Sequence, residues 1–161
     1  MEKNQKSRRK NSSILVRAPR PAVFVTRSGP ETERLGTRIA KILEPGGFSC
    51  VVFKGEFGAG KTTMIRGIVR HLTGKDQVFS PSFIFLNEYE GTVPIFHFDF
   101  YRMKNPGELE TIGFREYAGK GLLLIEWPEN AIAQLPPRSI EVTLEYVSLT
   151  KRRITLDFHL Q

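Results

Sequence analysis

Apolar residues recur along the chain in two rhythms, and the switches between them order the elements. Leu35, Ile39, Ile42 and Leu43 fall at i, i+4, i+7 and i+8, one face of a helix. Ser28 and Glu31 ahead of them have the S-x-x-E spacing of a capping box, and Pro45-Gly46-Gly47 ends the pattern. A second stripe, Met64, Ile65, Ile68, Val69 and Leu72, predicts a helix from Lys61 with Gly74 as its C′ residue. Short β-prone runs read as strands at 22–26 and 49–54. Two aromatic-rich runs, Phe83 to Tyr89 and Val93 to Asp99, flank a turn with Gly91 and predict a hairpin. Pro94 cannot donate to a ladder, so it belongs at a strand start, a bulge or an edge. Residues 106–118 read weakly as helix broken at Gly113, and 129–135 as a short helix stopped by Pro136-Pro137. Leu122-Leu123-Leu124-Ile125 is continuously apolar, as in a strand buried on both faces. Segments 139–146 and 152–160 alternate and read as a terminal antiparallel hairpin.

Between the strand at 49–54 and the helix from Lys61 lies Gly55-Glu56-Phe57-Gly58-Ala59-Gly60-Lys61-Thr62, a G-x-x-x-x-G-K-T phosphate-binding loop. Its glycines permit positive φ and let successive N–H groups cradle a nucleotide's phosphates, with the following helix N-terminus adding attraction. In that setting Gly55, Gly58 and Gly60 shape the cradle, Lys61 bridges β and γ, and the Thr62 hydroxyl ligates Mg²⁺. Strand alternating with helix around such a loop predicts an α/β fold. The expected architecture is a three-layer P-loop NTPase-like domain with a mixed, mainly parallel sheet flanked by helices and a C-terminal antiparallel hairpin.

Composition changes this picture at the N-terminus. With 161 residues, 40% of them apolar, one domain is expected over 22–161. Of the net charge of +7, residues 1–20 hold +6: seven Lys and Arg against the single Glu2. Residues 1–21 therefore read as a basic, disordered tail, either an electrostatic arm for RNA or an acidic partner, or a solubilising extension. No convincing amphipathic face marks it as a transit peptide. The single Cys50 excludes an intramolecular disulfide and suits a buried, inert thiol. His71, His97 and His159 have no metal-ligand spacing. Without a membrane-length apolar run or a secretory h-region, a soluble, cytoplasmic protein is expected.

A P-loop enzyme places a carboxylate at the end of a buried strand beside the loop, and two acids compete for that role. Glu126 ends the purest apolar run; Asp99 ends a mixed run whose alternation puts Ile95, His97 and Asp99 on one face. Either could instead pair with Arg102 or Lys104. Ser80 and Ser82 could complete the metal shell and sense the γ-phosphate, or form a Ser-Pro turn. Trp127 reads as core or as an exposed contact, and His97 as a satisfied core histidine.

The set G-x-x-G-A-G-K-T-T, Ser80-Pro81-Ser82-Phe83, His97-Phe98-Asp99-Phe100-Tyr101-Arg102, Glu108-Leu109-Glu110 with Ile112-Gly113, and Leu124-Ile125-Glu126-Trp127-Pro128 resembles the TsaE (YjeE) family over about residues 26–146. The resemblance implies a small bacterial ATPase, using ATP and Mg²⁺, required to form threonylcarbamoyladenosine beside the anticodon of tRNAs. It also implies action with the TsaB–TsaD complex, with tRNA reached indirectly or through that complex, and with neither membrane nor DNA as partner. By the same resemblance Gly58, Ala59, Gly60, Lys61, Thr62 and Thr63 hold the phosphates, Thr62 and Glu126 ligate Mg²⁺, Asp99 is a second essential acid beside Lys61 in the catalytic set, and residues 28–32 lie near the adenine. Ser82 stands where the family more often has Thr, which retains a hydroxyl. The basic tail exceeds the family's usual short N-terminus and inherits nothing from it.

Other classes of protein fit less well. A small-molecule kinase would need an Arg-rich lid and a second pocket, and a GTP switch would need an N-K-x-D signature, which the chain lacks. A nucleotide-gated adaptor without productive hydrolysis shares every motif. The expected chemistry is in-line attack of water on a γ-phosphate, slow in isolation and partner-dependent.

Overall fold

The structure, a computed structural model, describes residues 20–44 and 47–160. The basic tail expected over residues 1–21 therefore lies, up to residue 19, outside the described residues. Seven strands form one sheet: β1 (Ala22–Thr26), β2 (Cys50–Lys54), β3 (Leu86–Tyr89), β4 (Ile95–Asp99), β5 (Leu122–Glu126), β6 (Arg138–Tyr146) and β7 (Arg152–Leu160), in the order β1-β7-β6-β2-β5-β4-β3. The four central strands, β6, β2, β5 and β4, run parallel. β3, β7 and β1 extend them through antiparallel pairs. The mixed sheet with a parallel core and a terminal antiparallel hairpin is the architecture the sequence predicts.

Alternation divides the core into two layers. Val51, Phe53, Ile95, Leu122 and Leu124 face the helices α1 (Gly29–Leu43) and α2 (Lys61–Thr73), whose apolar stripes Leu35, Ile39, Leu43 and Met64, Ile65, Ile68, Val69 close over them. Cys50, Val52, Phe96, Phe98, Leu123 and Ile125 face the other way. There the cover is aromatic rather than helical: Phe98 meets Phe114 and Tyr117 edge-on at 5.2 and 5.4 Å, and Phe100 meets Phe114 at 5.6 Å. The expected helix at 106–118 is only one turn, α3 (Glu108–Thr111), and a 3₁₀ turn at Phe114–Glu116. Gly113 between them, at φ +65°, breaks the helix as its position suggests. The short helix expected at 129–135 is likewise two 3₁₀ turns, Pro128–Asn130 and Ile132–Gln134.

Helix α1 starts at Ser28, whose hydroxyl accepts the Glu31 amide at 3.3 Å. The reciprocal half of the capping box shifts by one residue, with Glu31 accepting the Arg27 amide at 2.7 Å. Gly74 ends α2 in the left-handed region, as expected. α1 and α2 touch backbone to backbone: a methyl group added at Gly36 would overlap the Met64 carbonyl, and one at Gly67 the Glu33 carbonyl. Pro94 sits one residue before β4, and its carbonyl accepts the Leu122 amide at 2.9 Å, so the missing donor leaves the ladder intact. The hairpin strand expected from Phe83 begins only at Leu86. Residues 83–85 instead turn over Pro81, whose carbonyl accepts the Ile84 and Phe85 amides, with Phe85 at φ +64°.

Candidate functional site

The parallel strands β4 and β5 carry Asp99 and Glu126 at the same level, as Cα partners at their C-terminal ends. Both acids are buried, at 2% and 3% exposure, beside the loop that joins β2 to α2. One cavity of about 250 Å³ is lined by loop residues Gly58, Gly60, Lys61 and Thr62 and by Ser80, Ser82, Asp99 and Glu126. The sequence candidates thus converge on one place: Ala59 packs beneath the loop as a core residue, and Thr63 lines this cavity and its neighbour.

Each acid is held by a different set of donors. The Thr62 hydroxyl donates to Glu126 Oε1 at 2.8 Å, and His97 Nε2 lies 3.0 Å from the same oxygen. Asp99 Oδ2 accepts from both Ser80 and Ser82, the Ser80 contact measuring 2.6 Å, and Oδ1 accepts the Tyr101 amide at 2.9 Å. Among the described residues no ion pair joins either acid to Arg102 or Lys104. Arg102 instead lies over the Phe83 ring at 4.0 Å. The turn over Pro81 that shortens β3 is what brings the Ser82 hydroxyl back to Asp99.

Lys61, 5% exposed, donates to the Gly55 and Glu56 carbonyls at 2.8 and 3.0 Å, and its ammonium lies 3.9 Å over the Trp127 ring. Burial pushes its pKa below the ordinary 10.5, while the charges of Glu126, Asp99 and Glu129 pull it back up. Trp127 adopts φ +55°, a left-handed conformation that a bulky residue rarely takes and that is therefore strained. That turn aims the indole under Lys61 and against Tyr101, 5.0 Å away, which in turn contacts the exposed Phe57 at 6.0 Å.

Sequence reasoning undervalued His97 and Trp127. The period-2 face shared by His97 and Asp99 carried the signal for His97, since that face meets Glu126 across the ladder. Among the described residues neither His97 Nδ1 nor the buried hydroxyl of Tyr89, whose ring stacks on it at 6.5 Å, has a hydrogen-bond partner, so within them His97 is not the fully satisfied core residue expected. Nothing local announces the left-handed turn at Trp127.

A second cavity, about 350 Å³, adjoins the first across the loop. Arg27, Ser28, Gly29 and Thr32 at the start of α1 line it with Gly58, Gly60, Leu149, Thr150 and Arg152. A larger cavity, about 680 Å³, lies at the opposite ends of the strands, among Leu43, Phe48, His71, Ile95 and Leu122, and none of these groups lines it.

A glycine-rich loop between a buried parallel strand and a helix, faced by acids on the neighbouring strands, defines an α/β protein with a P-loop NTPase-like fold. A family model described as threonylcarbamoyl adenosine biosynthesis protein TsaE matches residues 26–154. Relatives bearing the name tRNA threonylcarbamoyladenosine biosynthesis protein TsaE include one from Rickettsia felis, 36% identical over 81% of this chain and 76% of its own length. Those from Treponema pallidum and Bacillus subtilis are each 34% identical, over 82% and 78% of this chain and 97% and 78% of their own lengths. The crystal structure of YdiB from Bacillus subtilis has the same fold, with a TM-score of 0.68 at 24% identity over 88% of this chain and 87% of its own. The chain belongs to the TsaE family, which serves tRNA threonylcarbamoyladenosine biosynthesis. Among the described residues no helix is long and apolar enough to cross a membrane.

Proposed function

We propose that the chain is a cytoplasmic Mg²⁺-dependent ATPase that supports the TsaB–TsaD complex in forming threonylcarbamoyladenosine next to the anticodon of tRNAs. The observation that carries this reading is the convergence of Lys61, Thr62, Asp99 and Glu126 on one cavity at the mouth of the phosphate loop. Membership of the family supplies the tRNA pathway; the site supplies the chemistry.

The donors suit a hard cation. Thr62 and Glu126 offer oxygen atoms 2.8 Å apart in a hydrogen bond that a cation would replace. Mg²⁺ keeps several waters and takes only one or two protein oxygens beside phosphate, and no cluster of three His, Cys, Asp or Glu is needed or found among the described residues. When bound there the ion neutralises charge on the phosphate oxygens. The loop amides and Lys61 hold and orient the polyphosphate. Asp99, held by Ser80 and Ser82 at the facing edge of the same cavity, positions the attacking water and takes up its proton. The adjoining cavity at the start of α1 receives the adenosine end. The buried Lys61 and the half-buried Trp127 keep bulk water from the phosphates on the β5 side.

The test is ATP hydrolysis by the purified protein alone and with TsaB–TsaD and tRNA, beside Lys61→Ala. Turnover stimulated by the partners and reduced at least about 100-fold in the variant is the expected result. Tight ATP binding without turnover in any setting would favour a nucleotide-gated adaptor. Phosphate transferred to a small acceptor would favour a kinase, and absence of ATP binding would remove the nucleotide reading altogether.

A further inference from the structure

We propose that Tyr146 and Arg152, facing each other across the terminal hairpin, act as positioning residues that preset the phosphate loop's anion-binding amides. The ligand in question rests on the nucleotide reading above; the grip on the loop is present without it. Tyr146 ends β6, Arg152 begins β7, and the two are Cα partners in the ladder. The guanidinium lies 3.9 Å over the phenol ring, so the two side chains form one stacked unit.

That unit holds two carbonyls of the loop. Tyr146 donates its hydroxyl hydrogen to the Phe57 carbonyl at 2.9 Å, and Arg152 Nε donates to the Ala59 carbonyl at 3.1 Å. Each carbonyl shares a planar trans peptide with the next residue's N–H, which must point the opposite way. Drawing the carbonyls of 57 and 59 outward therefore turns the amides of Gly58 and Gly60 inward, toward the two cavities that both glycines line. The intervening Ala59 amide is occupied in the loop's own turn, donating to the Glu56 carbonyl at 3.2 Å. Gly58, between the two gripped carbonyls, sits at φ +73°, and a Cβ there would come within 2.8 Å of the Tyr146 hydroxyl.

Arg152 is a strut rather than a finger reaching for phosphate. Its Nη1 donates to the Ser148 and Lys151 carbonyls at 3.0 Å and to Leu149 at 3.3 Å, which fixes the hairpin's tip in the same act. A guanidinium stays charged at every relevant pH and has donors in several directions, so one side chain can tie the hairpin turn, the Tyr146 ring and the loop together. The phosphate loop is thus supported from below by α2 and from the side by strands 89 and 93 residues further along the chain.

Tyr146→Phe removes one oxygen, keeps the ring under Arg152 and concerns a half-exposed residue, so the fold survives; Arg152→Met removes the guanidinium. ATP binding to the full chain is measured by calorimetry, turnover by phosphate release, and the Gly58 and Gly60 amides by NMR in ligand-free protein. Affinity falls about fivefold in Tyr146→Phe and about tenfold or more in Arg152→Met, as expected for hydrogen bonds of ordinary and charged strength. Because the amides bind ground and transition states alike, KM rises while kcat stays within about twofold. The two glycine amides shift in the ligand-free variants. Wild-type affinity and unmoved amides in both variants would overturn the proposal while leaving the nucleotide reading intact. Wild-type protein that binds no ATP would overturn the nucleotide reading and the proposed role with it. Loss of kcat at unchanged KM would also overturn it, since that pattern belongs to a group acting on the reaction itself.

Discussion

Asp99 and Glu126 are neighbours in register, equally buried and chemically alike, yet they are held by opposite kinds of structure. Glu126 is gripped from the rigid interior, by a hydroxyl on the first turn of α2 and by a histidine wholly enclosed in β4. Asp99 is gripped by two hydroxyls of the loop at 80–82, where Ser80 is exposed and the flanking Phe79, Phe83 and Ile84 face solvent. A carboxylate fixed by core elements suits a task whose geometry must not change, such as holding a cation. One tied to a surface loop can follow a segment that rearranges with ligand or partner. Under the proposed function this contrast in support matches separate duties for the two acids.

Four experiments can break or sharpen that division. The largest effect is expected for Glu126→Gln, which lowers turnover about 10³-fold and raises the Mg²⁺ concentration needed for half-maximal rate. Asp99→Asn lowers kcat about 10²-fold with that Mg²⁺ requirement unchanged. Mg²⁺ titrations of the two variants that superimpose would erase the distinction. Next comes His97→Phe, which fills the same space without a donor and weakens Mg²⁺ dependence about tenfold, whereas His97→Gln restores most of it. Equal behaviour of Phe and Gln would reduce His97 to packing. Ser82→Ala leaves Ser80 in place and costs about fivefold in kcat, the worth of one hydrogen bond.

The smallest effect lies far from either acid. Burial in β2 pushes the Cys50 thiol up to about 12 from its ordinary 9.0. The folded state therefore keeps a proton that the unfolded chain loses between about pH 9 and 12. Its contribution is intact below 9 and declines as pH rises through that window, by up to about 1.4 kcal/mol per pH unit. Urea unfolding at pH 8 and 10.5 should show a decline that is smaller in Cys50→Ala, and alkylation at pH 8 should reach Cys50 only in denaturant.

What could be read in the chain and what could not differ by the range of the forces involved. β2, β5 and α2 were legible because their apolar periods and the G-x-x-x-x-G-K-T loop are local. The two candidate acids were legible because strand ends beside such a loop are a geometric consequence of parallel pairing. Helices 106–118 and 129–135 were overestimated, because the second layer is closed by aromatic edges of Phe98, Phe100 and Phe114, which need turns rather than helices to approach one another. Phe83 to Phe85 looked like strand by composition, but the hydroxyl bridges to Asp99 prevail over β-propensity there. The contacts of Tyr146 with Phe57 and of Arg152 with Ala59 join residues too distant in sequence for any pattern to connect them.

The glycine crossing of α1 and α2 has a further consequence. Gly36 and Gly67 let the two helix backbones meet with no side chain between them, so their separation works as a fixed gauge, set by atoms that no mild substitution can move. One cavity begins at the head of α1 and the other at the head of α2. On the opposite, hairpin side the cavity at the head of α1 is lined by the exposed Leu149 and Thr150, whose side chains can change without moving either helix.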